Sequence, residues 1–210
     1  MMRKVKQPAA MTPDPELPAR ERLLLAGGAL FAKNGFESAA VRDICALANT
    51  TSNMIHYYFG SKQGLYDEFL LGFSERVLMV PIRIISGPPK NRETLIAKLE
   101  MFIAETLEAL VDQPDLFKVV IREQFIFEAF ETYNLKLIEF LESAKKLGIV
   151  REKLDTAMLT GLILDRLGSQ ILYATWIKET SGENVMDDSP YKKRWLSANI
   201  DLILHGILTS

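Results

Sequence analysis

Cysteine and histidine are nearly absent from these 210 residues: Cys45 stands alone, and His56 and His205 are far apart in sequence. One cysteine excludes an intramolecular disulfide and fits a reducing compartment, and so few soft ligands assemble no metal cluster. No cofactor or metal is expected. Long apolar runs are missing too. The best candidate for a membrane span, Met158 to Ile177, is broken by Asp165 and Arg166 before it reaches the roughly 18 to 20 residues that a bilayer needs. The opening MMRKVKQPAA is basic but leads into no apolar stretch, so it does not read as a secretory signal peptide. Repeats and low-complexity tracts are lacking. These absences together lead us to expect a cytoplasmic protein with no membrane partner.

What is present is apolar, and its charge is unevenly placed. Hydrophobic residues make up 48% and charged ones 25%, enough for one globular domain or for a small domain joined to a larger one. The net charge of -2 gives no hint of a polyanionic partner. Its distribution does: residues 1–62 hold 8 Lys/Arg against 5 Asp/Glu, net +3, and the remainder holds 17 against 22, net -5.

Residues 1–17 contain three prolines and little apolar content, the composition of a mobile arm whose Arg3, Lys4 and Lys6 could touch phosphates or simply be solvated. A first helix is predicted from Pro18 to the stop at Gly35, with Leu23, Leu24, Leu30 and Phe31 at helical spacing. Gly27 and Gly28 in its middle cost roughly 1 kcal/mol each against alanine, so we expect close approach of a neighbouring helix there. A second helix, Ala40 to Leu47, turns Val41, Ile44 and Cys45 inward. The turn Ala48-Asn49-Thr50 follows, and asparagine is the non-glycine residue that best accepts positive φ. Thr51 is placed to cap a third helix ending at Phe59.

Advancing 100° per residue along that third helix divides its faces. With Ile55 inward, Thr51, Tyr58 and Phe59 fall on the anchoring side, whereas Asn53 and Tyr57 point away, flanked by Met54 and His56. Solvent-facing helix positions usually carry Lys and Glu. An exposed set of Asn, Met, His and Tyr is better explained as a reading surface, and Ser52 in the first turn belongs with it.

The stretch from Arg22 to Leu65 resembles the DNA-binding head of the TetR (tetracycline-repressor-like) family of bacterial transcription regulators. The residues that carry the resemblance are Leu24, Ala26, Leu30, Phe31 and Gly35-Phe36, then Val41-Arg42-Asp43-Ile44, then Ile55, Tyr58-Phe59, Ser61-Lys62 and Leu65. Departures are Asn49 for the usual turn glycine, Gly27 for a helix alanine and His56 for a common tyrosine. Ala39 and Ala40 stand where hydroxyl residues often cap the second helix, leaving Ser38 as the nearest substitute. The resemblance implies that Arg42, Thr51, His56 and Lys62 grip the DNA backbone, with Tyr57 on backbone or bases. Asn53 suits adenine N6 and N7, and Met54 suits a thymine methyl. Histidine in place of tyrosine reaches less far, and its charge depends on pH.

The rest of the chain reads as a helical body, giving an all-α protein of about nine helices: arm 1–17, helix-turn-helix head 18–64, ligand-binding and dimerisation domain 65–210. A fourth helix should run from Ser61 to Val80 and end before Pro81. A fifth spans Asn91 to Val111, a sixth and seventh span Pro114 to Leu147, an eighth follows Asp155, and a ninth opens with Ser189 as cap and Pro190 at its first position. Aromatic density at Phe117, Phe125, Phe127, Phe130, Tyr133 and Phe140 makes either a plain core or the lining of a cavity for an apolar or aromatic effector. Candidate pocket residues are Phe102, Arg122, Phe125, Phe130, Tyr133, Asp165, Gln170 and Trp176. Asp165 lies between Gly161 and Gly168 on one stripe and wants a partner: Arg122, Arg166 of a facing subunit, or a ligand. The eighth and ninth helices are apolar on two sides and need two covers. A second copy supplies the other cover most simply, through Gly161, Gly168, Leu172, Trp195, Ala198, Leu202 and Gly206. The resemblance implies a homodimer on a palindromic double-stranded operator, a repressor released by an unknown small molecule. An activator, a regulator without effector, and a helical interaction scaffold are the alternatives. An enzyme is not expected, because His56 lies on the presumed DNA face and Cys45 reads as core.

Overall fold

Apolar residues three and four apart, punctuated by Pro, Gly and Asn, fold this chain into helices throughout. The computed structural model describes residues 12–123, 127–187 and 189–209. Among them are eleven α-helices, one π-helical segment and an isolated bridge between Val150 and Leu208. The all-α class is as expected, and the helices outnumber nine because two of the expected ones are interrupted. Packing divides the chain into Met1–Leu71 and Gly72–Ser210. That division falls inside the fourth helix rather than at 64/65. None of the described helices is long and apolar enough to cross a membrane.

The first unit holds α1 (Ala19–Asn34), α2 (Val41–Leu47), α3 (Ser52–Phe59) and most of α4 (Lys62–Phe73). α1 buries Leu23, Ala26, Gly27, Gly28 and Phe31, while Leu24 and Leu30 are half-buried. The expected close approach is α4: a Cβ on Gly27 would lie 3.1 Å from Leu65 Cδ2, and one on Gly28 only 2.3 Å from Phe69 Cε2. Phe31 meets Tyr66 edge-on at 4.9 Å, and Phe36 lies 4.6 Å from the same ring. Aromatic rings in such tilted arrangements add to the burial energy. The arm residues 1–11, with Arg3, Lys4 and Lys6, lie outside the described residues.

The second unit opens with the π-helical segment Ser74–Met79 and continues into α5 (Val80–Ile84), α6 (Arg92–Asp112), α7 (Pro114–Glu123) and α8 (Phe127–Lys146). The expected stop before Pro81 is therefore wrong. Pro81 sits at the start of α5, where a missing N–H costs little, and the hydrogen-bond pattern has already changed ahead of it. α6 is capped by Asn91, whose Oδ1 accepts from Thr94 N at 2.9 Å. It buries Leu95, Leu99, Phe102, Ile103, Thr106, Leu107 and Leu110 on one face. α9 (Thr156–Leu172) is capped by Asp155, whose Oδ1 accepts from Met158 N at 2.9 Å.

The eighth helix of the sequence reading is two helices, because the chain turns at Tyr173 before α10 (Ala174–Ser181). Asn184 holds the break open: its Nδ2 donates to Ala174 O at 2.9 Å, and its Oδ1 accepts from Met186 N at 2.9 Å. α11 (Tyr191–Ile207) starts one residue later than expected, with Pro190 at the cap position and Ser189 Oγ accepting weakly from Tyr191 N at 3.3 Å.

Candidate nucleic-acid interface and ligand cavity

The turn before α3 is built from backbone. Asn49 takes φ +49°, the only positive φ among the described non-glycine residues, and this lets Thr50 N–H reach back to Cys45 O at 2.9 Å. That bond closes α2 in a Schellman-like manner. Arg22 of α1 fixes the same corner: its Nε donates to Ala48 O at 2.9 Å, and its terminal nitrogen to Pro15 O and Leu17 O. Cys45 is buried, and burial pushes its thiol up.

On α3, Ile55 is 1% exposed and anchors the helix. Ser52, Asn53, His56 and Tyr57 are exposed, Tyr57 at 76%, and Met54 is half-buried. His56 Nδ1 lies 2.9 Å from Gly60 O, which assigns the proton to Nδ1 and leaves Nε2 facing outward. Tyr57 lies edge-on to Tyr58 at 4.9 Å. Two details differ from expectation. Thr51 occupies the cap position with extended backbone, but it is exposed and makes no side-chain capping bond, so it neither caps α3 nor anchors it. Tyr58 and Phe59 are half-buried rather than core, and Phe59 instead carries the Arg20 guanidinium 5.5 Å from its ring centre.

Arg42 at the start of α2 is extended into solvent with 93% of its side chain exposed. Lys62 is otherwise engaged. Its Nζ donates to Phe36 O at 2.8 Å and to Glu37 O and Ala39 O at 3.3 Å, and it lies 4.3 Å over the Phe36 ring. All three ammonium hydrogens have carbonyl partners in the α1–α2 connection. The geometry makes Lys62 a brace for that connection rather than an unengaged phosphate cation. Nearby, Ser61 Oγ accepts from Gly64 N at 3.0 Å and caps α4, and a Cβ on Gly64 would sit 2.0 Å from Phe59 O. The Arg22 and Lys62 braces were missed in the sequence, since a carbonyl acceptor leaves no signature in residue type.

The second unit encloses a cavity of about 380 Å³. Its interior is formed by Val77, Leu78, Leu110, Phe117 and Leu167, with Thr106 and Tyr133 as buried polar groups. Ile121, Asp165, Leu172 and Tyr173 line it where it meets solvent. Tyr133 OH lies 2.7 Å from Thr106 Oγ1, and burial drives its phenol well above the usual range against the opposing effect of that bond. Of the expected pocket residues, Tyr133 and Asp165 line this cavity. Phe102 is fully buried and stacks on Tyr133 at 5.3 Å without lining it. Trp176 is 64% exposed and elsewhere, because the break at Tyr173 turns α10 away. Arg122 is exposed and not part of the lining. Gln170 is buried, is not part of the lining, and its Oε1 lacks a hydrogen-bond partner among the described residues. Phe125 and the Phe130 side chain lie outside the described residues. Phe117, expected as core or cavity lining, does line the cavity, and Thr106 joins it although its helical spacing suggested only an inward face.

The residues expected at a subunit contact separate by exposure. Gly161, Ala198 and Leu202 are exposed, Leu202 at 61%, joined by Met158 and Leu162 of α9. Trp195 and Gly206 are half-buried. Gly168 belongs elsewhere: a Cβ there would lie 2.9 Å from Phe117 Cζ, so its small size admits α7 and not a second subunit. Leu172 is 43% exposed and also lines the cavity mouth. Although Gly161 and Gly168 share a stripe, α7 covers only the later one.

Comparison with known proteins extends this picture. A family model described as bacterial regulatory proteins, tetR family, matches residues 23–69, which contain the whole helix-turn-helix. The transcriptional repressor KstR2 of Rhodococcus jostii is 26% identical over 152 residues, covering 70% of this chain and 74% of its own length. The transcriptional repressor NicS of Pseudomonas putida is 26% identical over 204 residues, covering 90% and 92%. Among solved structures, the ketosteroid transcriptional regulator KstR2 of Mycobacterium tuberculosis superposes with a TM-score of 0.73 at 20% identity, covering 96% of this chain and 99% of that one.

Proposed function

The chain belongs to the TetR family of DNA-binding transcriptional regulators rather than to any enzyme class, and from there we propose that it is a dimeric repressor released from a two-fold operator by an apolar effector. The observation that carries this reading is the face of α3: Asn53, His56 and Tyr57 are presented to solvent around a buried Ile55, at the end of a turn that Asn49 makes possible. Asn53 and Met54 read bases, whereas Arg42, Ser52 and Tyr57 contact the backbone and set the register. His56 offers Nε2 as a further backbone contact.

A single head buries too little surface for tight, specific binding, so two are needed. The exposed stripe of Met158, Leu162, Ala198 and Leu202 on α9 and α11 supports an isologous contact between two copies. The cavity of the second unit supports the effector site, since its size and mostly apolar walls suit a small molecule. The names of KstR2 and NicS as repressors favour repression over activation. A regulator of this kind works in the cytoplasm, on the nucleoid.

Genome-wide footprinting of the purified protein tests the reading. Protected sites should be two-fold symmetric, with half-sites roughly 34 to 36 Å apart or a multiple of that spacing. Effector should weaken operator binding, and operator should weaken effector binding by the same factor. Protection without symmetry would remove the dimeric reader, and identical operator affinity at saturating effector would remove the release mechanism.

A further inference from the structure

Hydrogen-bond donors are what the cavity lacks. Thr106 Oγ1 gives its one hydrogen to Phe102 O at 2.7 Å, so its 2.7 Å contact with Tyr133 runs from the phenol to the threonine oxygen. Ser169 Oγ likewise donates to Arg166 O at 2.9 Å. The lining residues stand on helices, where backbone N–H groups are consumed by the helices themselves. Apart from the Tyr173 hydroxyl at the mouth, the polar surface left for a ligand is made of acceptors: lone pairs of Tyr133 and Ser169, and the Asp165 carboxylate. Asp165 has no hydrogen-bond or ion-pair partner among the described residues. The neighbouring Arg166 does not supply one, since its Nε donates to Asn199 Oδ1 on α11.

We propose that this cavity is selective for an apolar ligand carrying a protonated amine, held at the mouth by Asp165, and that it rejects a carboxylate on the same skeleton. The proposal rests on reading the cavity as the effector site. An ammonium group brings three donors and the opposite charge to a lining whose polar groups, the Tyr173 hydroxyl apart, are acceptors, and charge-assisted bonds of that kind are the stronger ones. A carboxylate would meet Asp165 as a like charge and would exchange its water for one donor at most, the Tyr173 hydroxyl. An alcohol, with one donor and no charge, falls between them.

Calorimetric titration of the full-length protein with phenylbutylamine, phenylbutanol and phenylbutyrate tests this, because the three share one apolar skeleton. The amine should bind at least about tenfold tighter than the carboxylate, with the alcohol between. Asp165→Asn should bring the amine-to-carboxylate ratio close to one and change the alcohol least. Asp165→Glu keeps the charge and should keep the preference, so a ratio lost in one variant and retained in the other does not come from misfolding. A carboxylate that binds as tightly as the amine, or a ratio unchanged by Asp165→Asn, overturns the ligand class while leaving the effector cavity in place. An Asp165→Asn protein that sediments as a monomer at an unchanged ratio assigns the carboxylate to a subunit contact and also overturns it. Binding of none of the three to the wild type removes both the ligand class and the effector reading.

Discussion

Lys62 satisfies three carbonyls with one ammonium group, and its value to the fold is set by what those carbonyls lose without it. Phe36 O also accepts from Ala39 N at 3.3 Å and the Glu37 bond is exposed, so the part-buried Ala39 O loses most, and leaving such an acceptor unsatisfied costs about 1 to 3 kcal/mol. Lys62→Met should therefore lower the urea midpoint of the protein. A role in phosphate contact alone would instead leave the midpoint unchanged and reduce the salt slope of DNA binding by about one. Gly28 carries a second expectation. Adding a methyl group 2.3 Å from the Phe69 ring forces α1 and α4 apart, so Gly28→Ala should destabilise by about 1 to 3 kcal/mol in denaturant titration despite alanine's better helix propensity. Gly28 and Asn49 were legible because a costly residue in a helix, or an asparagine in a tight turn, has a physical reason that residue type alone suggests. The roles of Arg22 and Lys62 were not legible, since each depends on which carbonyl folding brings within reach.

The helices were legible wherever caps and stops agree with apolar spacing. Asn91 and Asp155 cap α6 and α9 as their residue types favour, and Gly35, Gly148 and Gly182 end helices or turns at positive φ. Two elements were not legible. The π-helical turn at Ser74–Met79 has no stop residue, and Pro81 reads as an end although it opens α5. The break at Tyr173 is held by Asn184, which bonds Ala174 from ten residues further along the sequence, so no local pattern announces it. The loop after α10 carries a pH expectation. Asp187 accepts from Lys178 Nζ at 2.5 Å and from Asn184 N at 2.9 Å, and these bonds hold its carboxyl below the usual 3.8. A lowered folded pKa stabilises at pH above the unfolded value and ceases to do so as pH falls through the folded one. Asp187→Asn should accordingly lower the melting temperature at pH 7, and the difference from wild type should shrink as the pH falls through the lowered pKa of the folded carboxyl. A gap of constant size at every pH would show that the carboxylate charge contributes nothing there.

For the whole protein, the two expected roles of α9 separate by face. Gly168 turns towards Phe117 and the cavity, whereas Leu162 and, on α11, Leu202 stay exposed for the proposed second copy. Leu202→Asp should shift the sedimenting species from dimer to monomer without filling or emptying the cavity, because a charge in a self-complementary apolar contact is met by its own copy. The family was legible from about a fifth of the chain, since the head's residues serve both packing and recognition at fixed spacing, and the all-α fold was legible from the helical spacing of the rest. The cavity lining was only half legible, because inward faces of separate helices reveal that residues are buried but not which of them surround empty space. The reading face of α3 is tested most directly by titrating wild type and Asn53→Ala onto the footprinted operator and a scrambled duplex at one salt concentration. Loss of about 1 to 3 kcal/mol on the operator, with scrambled DNA bound as before, is the predicted result. Equal losses on both duplexes would contradict it.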